Sequence, residues 1–201
     1  VQLPHGPWVQ LDQRGGDRAG GVELRALALV SLGIAELWSS RVDEAEAHLE
    51  RGIALARRIG RPFLEISGWA HWAVAASFRS PALAVERGLQ AVDLARQHGW
   101  SGEPVVAIAY PTLAGSLIWQ GELEEAERWL MEGEYALRSE IEPATGMLFH
   151  LVRGFLEIAR GRADVALADL RAAGACREGC SSKRTHSRRG SRRFSCTSSC
   201  A

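Results

Sequence analysis

Chemistry in this 201-residue chain would have to come from a few polar side chains spaced among aromatics. Trp69, His71 and Trp72 form one group, Tyr110, Thr112, Ser116 and Trp119 a second, and His150 with Arg153 a third. A polar group set among aromatic faces can orient a small molecule or a partner segment, the rings supplying apolar area and the polar atom direction. Catalysis or metal binding asks for more, because the reacting groups or ligands must converge. Neither His71 nor His150 has a Cys or a second His four residues away, and no set of nucleophile, base and orienting group accompanies either. Glu122, Glu124, Glu125 and Glu127 look like paired carboxylates, but they stand where a helix begins, and negative charge there offsets the helix dipole. The chain reads as a non-enzyme, with no cofactor and no resident metal.

What must position these groups is a run of helices. Apolar periodicity predicts them over residues 22–38, 42–58, 62–78, 81–98, 104–119, 122–139, from 143 to a turn at Gly161, and over 162–173, eight in all. In the second, Ala45, Leu49, Ile53 and Ala56 share one face, while Glu44, Glu46, Glu50, Arg51, Arg57 and Arg58 lie mostly on the other. Gly60, Gly99, Gly121 and Gly161 stand where helices should end, and Pro62, Pro81, Pro104 and Pro143 where they should start. Pro111 conflicts with its helix. It removes a backbone donor and disfavours the helical conformation at Tyr110, so the spacing predicts a kink there or a helix that starts at Pro111.

The helices repeat. Aligning the small residue expected to pack on the preceding helix gives Ala45, Ala84, Ala126 and Ala166, with steps of 39, 42 and 40 residues. Leu49, Leu130 and Leu170 follow four residues later, and Gly33, Ala114 and Gly154 precede by twelve. The second unit fits worst, with Gly88 in the leucine position. A lone helical hairpin cannot bury its apolar face, so units of this kind stack. The expected fold is all-α: a right-handed tetratricopeptide-like superhelical solenoid of about four antiparallel helix pairs with a period near 40. It occupies residues 21–173, after an irregular leader or remnant of a preceding element at 1–20. The first helices of such pairs line a concave groove, and the nine polar and aromatic residues named above are the candidates to face it. Large side chains at helical spacing are also what a solenoid buries, so plain core is the competing reading for the aromatics.

Two stretches carry a family resemblance. The segment Leu32-Gly33-Ile34-Ala35-Glu36-Leu37-Trp38, followed by Val42-Asp43-Glu44-Ala45-Glu46-Ala47-His48-Leu49 and by Ala54 to Pro62, resembles the tetratricopeptide-like (MalT-like) region of large ATP-binding LuxR-family transcriptional regulators. Leu123-Glu124-Glu125-Ala126-Glu127-Arg128-Trp129-Leu130 does so too. The resemblance implies a middle repeat domain that senses an inducer, between an ATPase module and a DNA-binding helix-turn-helix. Neither outer module is expected in this chain. The only lysine, Lys183, lacks the glycines of a phosphate-binding loop, and too few residues follow the repeats for a helix-turn-helix domain. The resulting expectation is a ligand- or protein-binding module, probed by a protein or peptide partner or a small-molecule inducer in the groove, with no direct DNA binding. A stand-alone tetratricopeptide-like adaptor is the alternative.

Charge separates the body from the tail. Residues 1–176 carry 17 basic and 23 acidic groups, residues 177–201 seven basic and one acidic. From residue 174 the helical period stops and Ser, Arg and Cys dominate. Three readings are open for 174–201: a zinc site from Cys176, Cys180, Cys196 and Cys200 with His186 nearby, a basic arm through Arg188, Arg189, Arg192 and Arg193, or a disordered stretch produced by a reading-frame change. The abrupt cut in the fourth hairpin favours the last. All four cysteines lie at Cys176 or beyond, no apolar run is long enough to cross a bilayer, and no initiator Met or signal pattern opens the chain. A cytoplasmic, truncated product with no membrane contact is expected.

Overall fold

A computed structural model of the protein describes the backbone of residues 16–137 and 143–186, and the side chains of residues 20–137 and 143–175. The described backbone is helical, with no strands: α1 (Gly16–Trp38), α2 (Val42–Arg58), α3 (Pro62–Ser77), α4 (Pro81–Gln97), α5 (Pro104–Ala107), α6 (Ala109–Gln120), α7 (Leu123–Ala136), α8 (Pro143–Ala159) and α9 (Ala163–His186). Helix pairs α1/α2, α3/α4, α6/α7 and α8/α9 are the four units of the solenoid. First helices α1, α3, α6 and α8 pack on one another in turn, α2 also leans on α3, and α4 on α6. Each unit thereby buries the apolar face its neighbour exposes.

The aligned positions are the contacts that set this register. A Cβ built on Gly33 would meet Leu49 Cγ at 2.7 Å, and one on Gly154 would meet Leu170 at 3.1 Å, so the leucine of each second helix fills the space left by the missing side chain on the first. Ala114, Ala126 and Leu130 are buried together in the third unit. The second unit reverses the sizes, with Trp72 and Gly88 in the two places. Leu113 of the third unit enters there instead, 2.8 Å from where a Gly88 Cβ would lie.

Turns inside the units repeat as well. Ser40, Gly121 and Gly161, each five residues before its aligned alanine, have φ of 62°, 85° and 74°. This left-handed conformation ends the first helix and suits glycine at two of the three sites. In the second unit the turn is closed differently: Ser80 Oγ accepts from the Leu83 amide at 3.2 Å, a side-chain N-cap.

Three boundaries differ from the sequence expectation. The break at Pro111 lies upstream of it, at Ile108, because the proline ring collides with the carbonyl four residues earlier, that of Ala107, the last residue of α5. Pro111 then falls in the first turn of α6, where an amide would have no partner in its own helix. At the ends, α1 begins at Gly16 instead of near residue 22, and α9 continues past Ala173 to His186. No proline interrupts either stretch, and Gly174 lowers helix propensity without terminating the helix. The expected end of the seventh helix near Ser139 and the tail beyond His186, with Cys196 and Cys200, lie outside the described residues.

Candidate functional site

The inner face of the solenoid is built from one stripe of each first helix. Ile34 and Trp38 come from α1, Ser67, His71 and Val74 from α3, Ile108 from the α5/α6 junction, Thr112, Ser116 and Trp119 from α6, and Leu148, Val152 and Phe155 from α8. Spacings of three and four residues keep each stripe on one side of its helix. Two concavities divide this face.

One is a groove at the C-terminal ends of the first helices. Trp38, Phe78, Trp119 and Phe155 surround it and remain 44, 68, 81 and 42% exposed, although each is large and apolar. No charged residue lines it. Its hydroxyls are already engaged: Thr112 Oγ1 donates to the Ile108 carbonyl at 2.7 Å, Ser116 Oγ to Thr112 at 2.8 Å, and Ser77 Oγ to Val74 at 2.7 Å. These bonds run back along the chain segment that carries each hydroxyl, so the hydroxyl protons are engaged and the groove offers a largely apolar surface with no charged group.

The other is a cavity of ≈ 610 Å³ between α1, α3 and α5, with Phe63, Ser67, His71, Trp100, Glu103 and Ile108 in its wall. His71 Nδ1 lies 2.8 Å from the Ser67 carbonyl, which can only accept, so Nδ1 carries the proton in this bond. Burial holds the His71 imidazole below its ordinary value, the Ser67 bond opposing that shift. Trp100 stacks with His98 at 5.1 Å and meets Phe63 edge-on at 6.5 Å.

The nine residues singled out in the sequence do not share one surface. Thr112, Ser116 and Trp119 border the apolar groove, and His71 the larger cavity. Tyr110 is buried, donating through its hydroxyl to Ser101 at 2.8 Å and packing at 6.2 Å from Trp129. Trp69 and Trp72 pack against each other at 5.1 Å, tilted by 33°, on the side of α3 that meets the second helices: Arg57 of α2 lies 5.9 Å over Trp69, and Arg87 of α4 lies 3.8 Å over Trp72. Arg87 also pairs with Glu46 at 2.7 Å, and Trp72 Nε1 is buried without a hydrogen-bond partner. His150 and Arg153 turn toward α9. Arg153 donates from Nε to Asp169 at 2.7 Å, and His150 lies 3.3 Å from the same carboxylate. Burial would raise the Asp169 pKa, but hydrogen bonds from Arg153 and His150 outweigh it and hold the carboxylate below its usual range.

Periodicity did not single out Trp38, Phe78 or Phe155. The available signal was the repeat itself, since Trp38 and Trp119 both stand seven residues before an aligned alanine. A second overlooked correspondence is structural. Buried Glu36 pairs with Arg41 across the first-unit turn, and buried Glu157 with Arg162 across the fourth. Among the described residues no group of three or more His, Cys, Asp or Glu is placed to hold a metal ion, and no helix is long and apolar enough to cross a membrane.

No family model and no curated protein matches the chain. Among solved structures it is similar to BtubC (BKLC) from P. vanneervenii, with a TM-score of 0.56 at 15% identity over 96% of this chain and 74% of that one. At this identity the likeness is one of helical fold.

Proposed function

We propose that the chain is a protein-binding helical-repeat module whose aromatic groove takes an amphipathic helix from a partner protein. One observation carries this reading: Trp38, Phe78, Trp119 and Phe155 stay exposed around a groove whose hydroxyls are all turned back onto their own helices. An extended peptide buried there would leave its backbone amides and carbonyls without partners, whereas a helix satisfies its own. A sugar or another hydroxyl-rich inducer would meet no charged group there and no free hydroxyl proton. Apolar residues at helical spacing on the partner would instead cover the four rings.

In its wider setting the module belongs, on this proposal, to a cytoplasmic LuxR-family regulator, in which such a contact would couple a partner protein to transcription. Support comes from the repeat phrases around Gly33 to Pro62 and Leu123 to Leu130, and from a body without cysteine before Cys176. Coding sequence on either side tests that setting. A phosphate-binding loop upstream and a helix-turn-helix downstream support the regulator, and an independent start and stop support the adaptor. The groove itself is tested by selecting helical peptides from a display library against the chain. Enriched peptides should carry an apolar stripe, lose binding when a central proline breaks the helix, and fail to bind Trp119→Ala; selection of extended or proline-tolerant peptides would overturn the helix reading.

A further inference from the structure

We infer that the cavity between α1, α3 and α5 is a separate small-molecule site, built for an organic cation: an ammonium group carried on an aromatic or alkyl body. The cavity is formed where the chain enters the third unit. Between α2 and α3 only three residues intervene, whereas six, His98 to Glu103, separate α4 from α5. The extra residues bring Trp100 and Glu103 onto the inner face, and the break at Ile108 sets the single turn of α5 apart from α6. Insertions in helical repeats fall on one face, often the one that binds.

Its size, ≈ 610 Å³, is that of a small-molecule pocket. The chemistry of its wall selects the sign of the ligand. Phe63, Trp100, Ile34, Val105 and Ile108 give it an apolar body, and no Arg or Lys lines it. Its polar groups are chiefly acceptors. With Nδ1 donating to Ser67, the neutral His71 ring has its lone pair on Nε2; Glu103 contributes a carboxylate at the rim, and Ser67 a hydroxyl. An anion would meet that carboxylate with no cation to answer it. An ammonium ion instead finds a carboxylate, an imidazole acceptor and the indole of Trp100, whose π face attracts cations.

The site is independent of the aromatic groove, and the experiment separates them. Calorimetric titration would use 2-phenylethylamine, with 2-phenylethanol and 3-phenylpropanoate as neutral and anionic counterparts of the same body. The amine should bind saturably at one site per chain, more tightly than the alcohol, with the carboxylate weakest. Glu103→Gln, at an exposed position, should weaken the amine roughly threefold and leave the alcohol unchanged, which a merely structural role would not do. Trp119→Ala in the groove should leave amine binding unaltered. Absence of saturable amine binding, equal binding of the carboxylate, or an amine-to-alcohol ratio that Glu103→Gln does not change would each overturn the inference.

Discussion

A side chain added at Gly133 has nowhere to go. Its Cβ would lie 2.6 Å from Tyr110 Cβ, an atom fixed to the backbone of α6, and 3.4 Å from Phe149. Gly133→Ala should therefore lower stability by about 1–3 kcal/mol through overpacking, despite the better helix propensity of alanine. Gly20 in α1 meets nothing within 4 Å, and Gly20→Ala should stabilise by about 0.5–1 kcal/mol. Denaturant titration of both variants checks the contrast. His71 makes a pH prediction. The unfolded chain protonates it near 6.5, whereas burial holds the folded ring lower. Its contribution is thus complete above about pH 6.5 and is lost as pH falls toward the folded pKa. His71→Gln should remove that part of the acid destabilisation, so the melting temperatures of parent and variant should converge between about pH 7 and pH 5.5. An unchanged difference across that range would show that His71 is not held neutral.

At the scale of the element, the turns and the register were legible in the sequence, and the boundaries less so. The aligned alanines led to the contacts that lock the hairpins, because a missing side chain on one helix and a leucine sixteen residues later are a local, periodic signal. Pro111 announced a break but not its place, since the collision acts on the carbonyl four residues back. The groups facing outward were harder to read. Periodicity places a residue on a stripe, yet it does not say which neighbouring helix covers that stripe. Hence Tyr110, one residue from a groove-lining proline, is core, while Phe78 is open. Turn chemistry gives a test at this scale. Ser40 holds φ of 62°, where the equivalent turns use Gly121 and Gly161. Ser40→Gly should stabilise the chain by about 1 kcal/mol, and Gly121→Ala should cost a similar amount, both measurable as shifts in the denaturation midpoint.

Across the whole molecule, ion pairs tie each unit to the next. Arg61 reaches Glu23 at 2.7 Å and Arg79 pairs with Asp43 and Glu46 between the first two units; Arg96 meets Glu132 at 2.8 Å between the second and third, and Arg160 grips Glu127 at 2.7 Å between the third and fourth. Most are exposed, so each contributes little, and apolar burial between units carries the stack. Among the described residues, that burial leaves the ring of Trp38, Phe78, Trp119 and Phe155 uncovered around the groove, and the functional reading rests on it. Phe78 and Trp119 bury little area within the chain, so their removal should leave folding intact while stripping the groove of its anchors. The decisive measurement is fluorescence anisotropy of a display-selected helical peptide titrated with the parent chain and with the Phe78→Ala/Trp119→Ala variant, both confirmed as folded by circular dichroism. An amphipathic-helix groove predicts a loss of affinity of about tenfold or more. Affinity within twofold of the parent would contradict it.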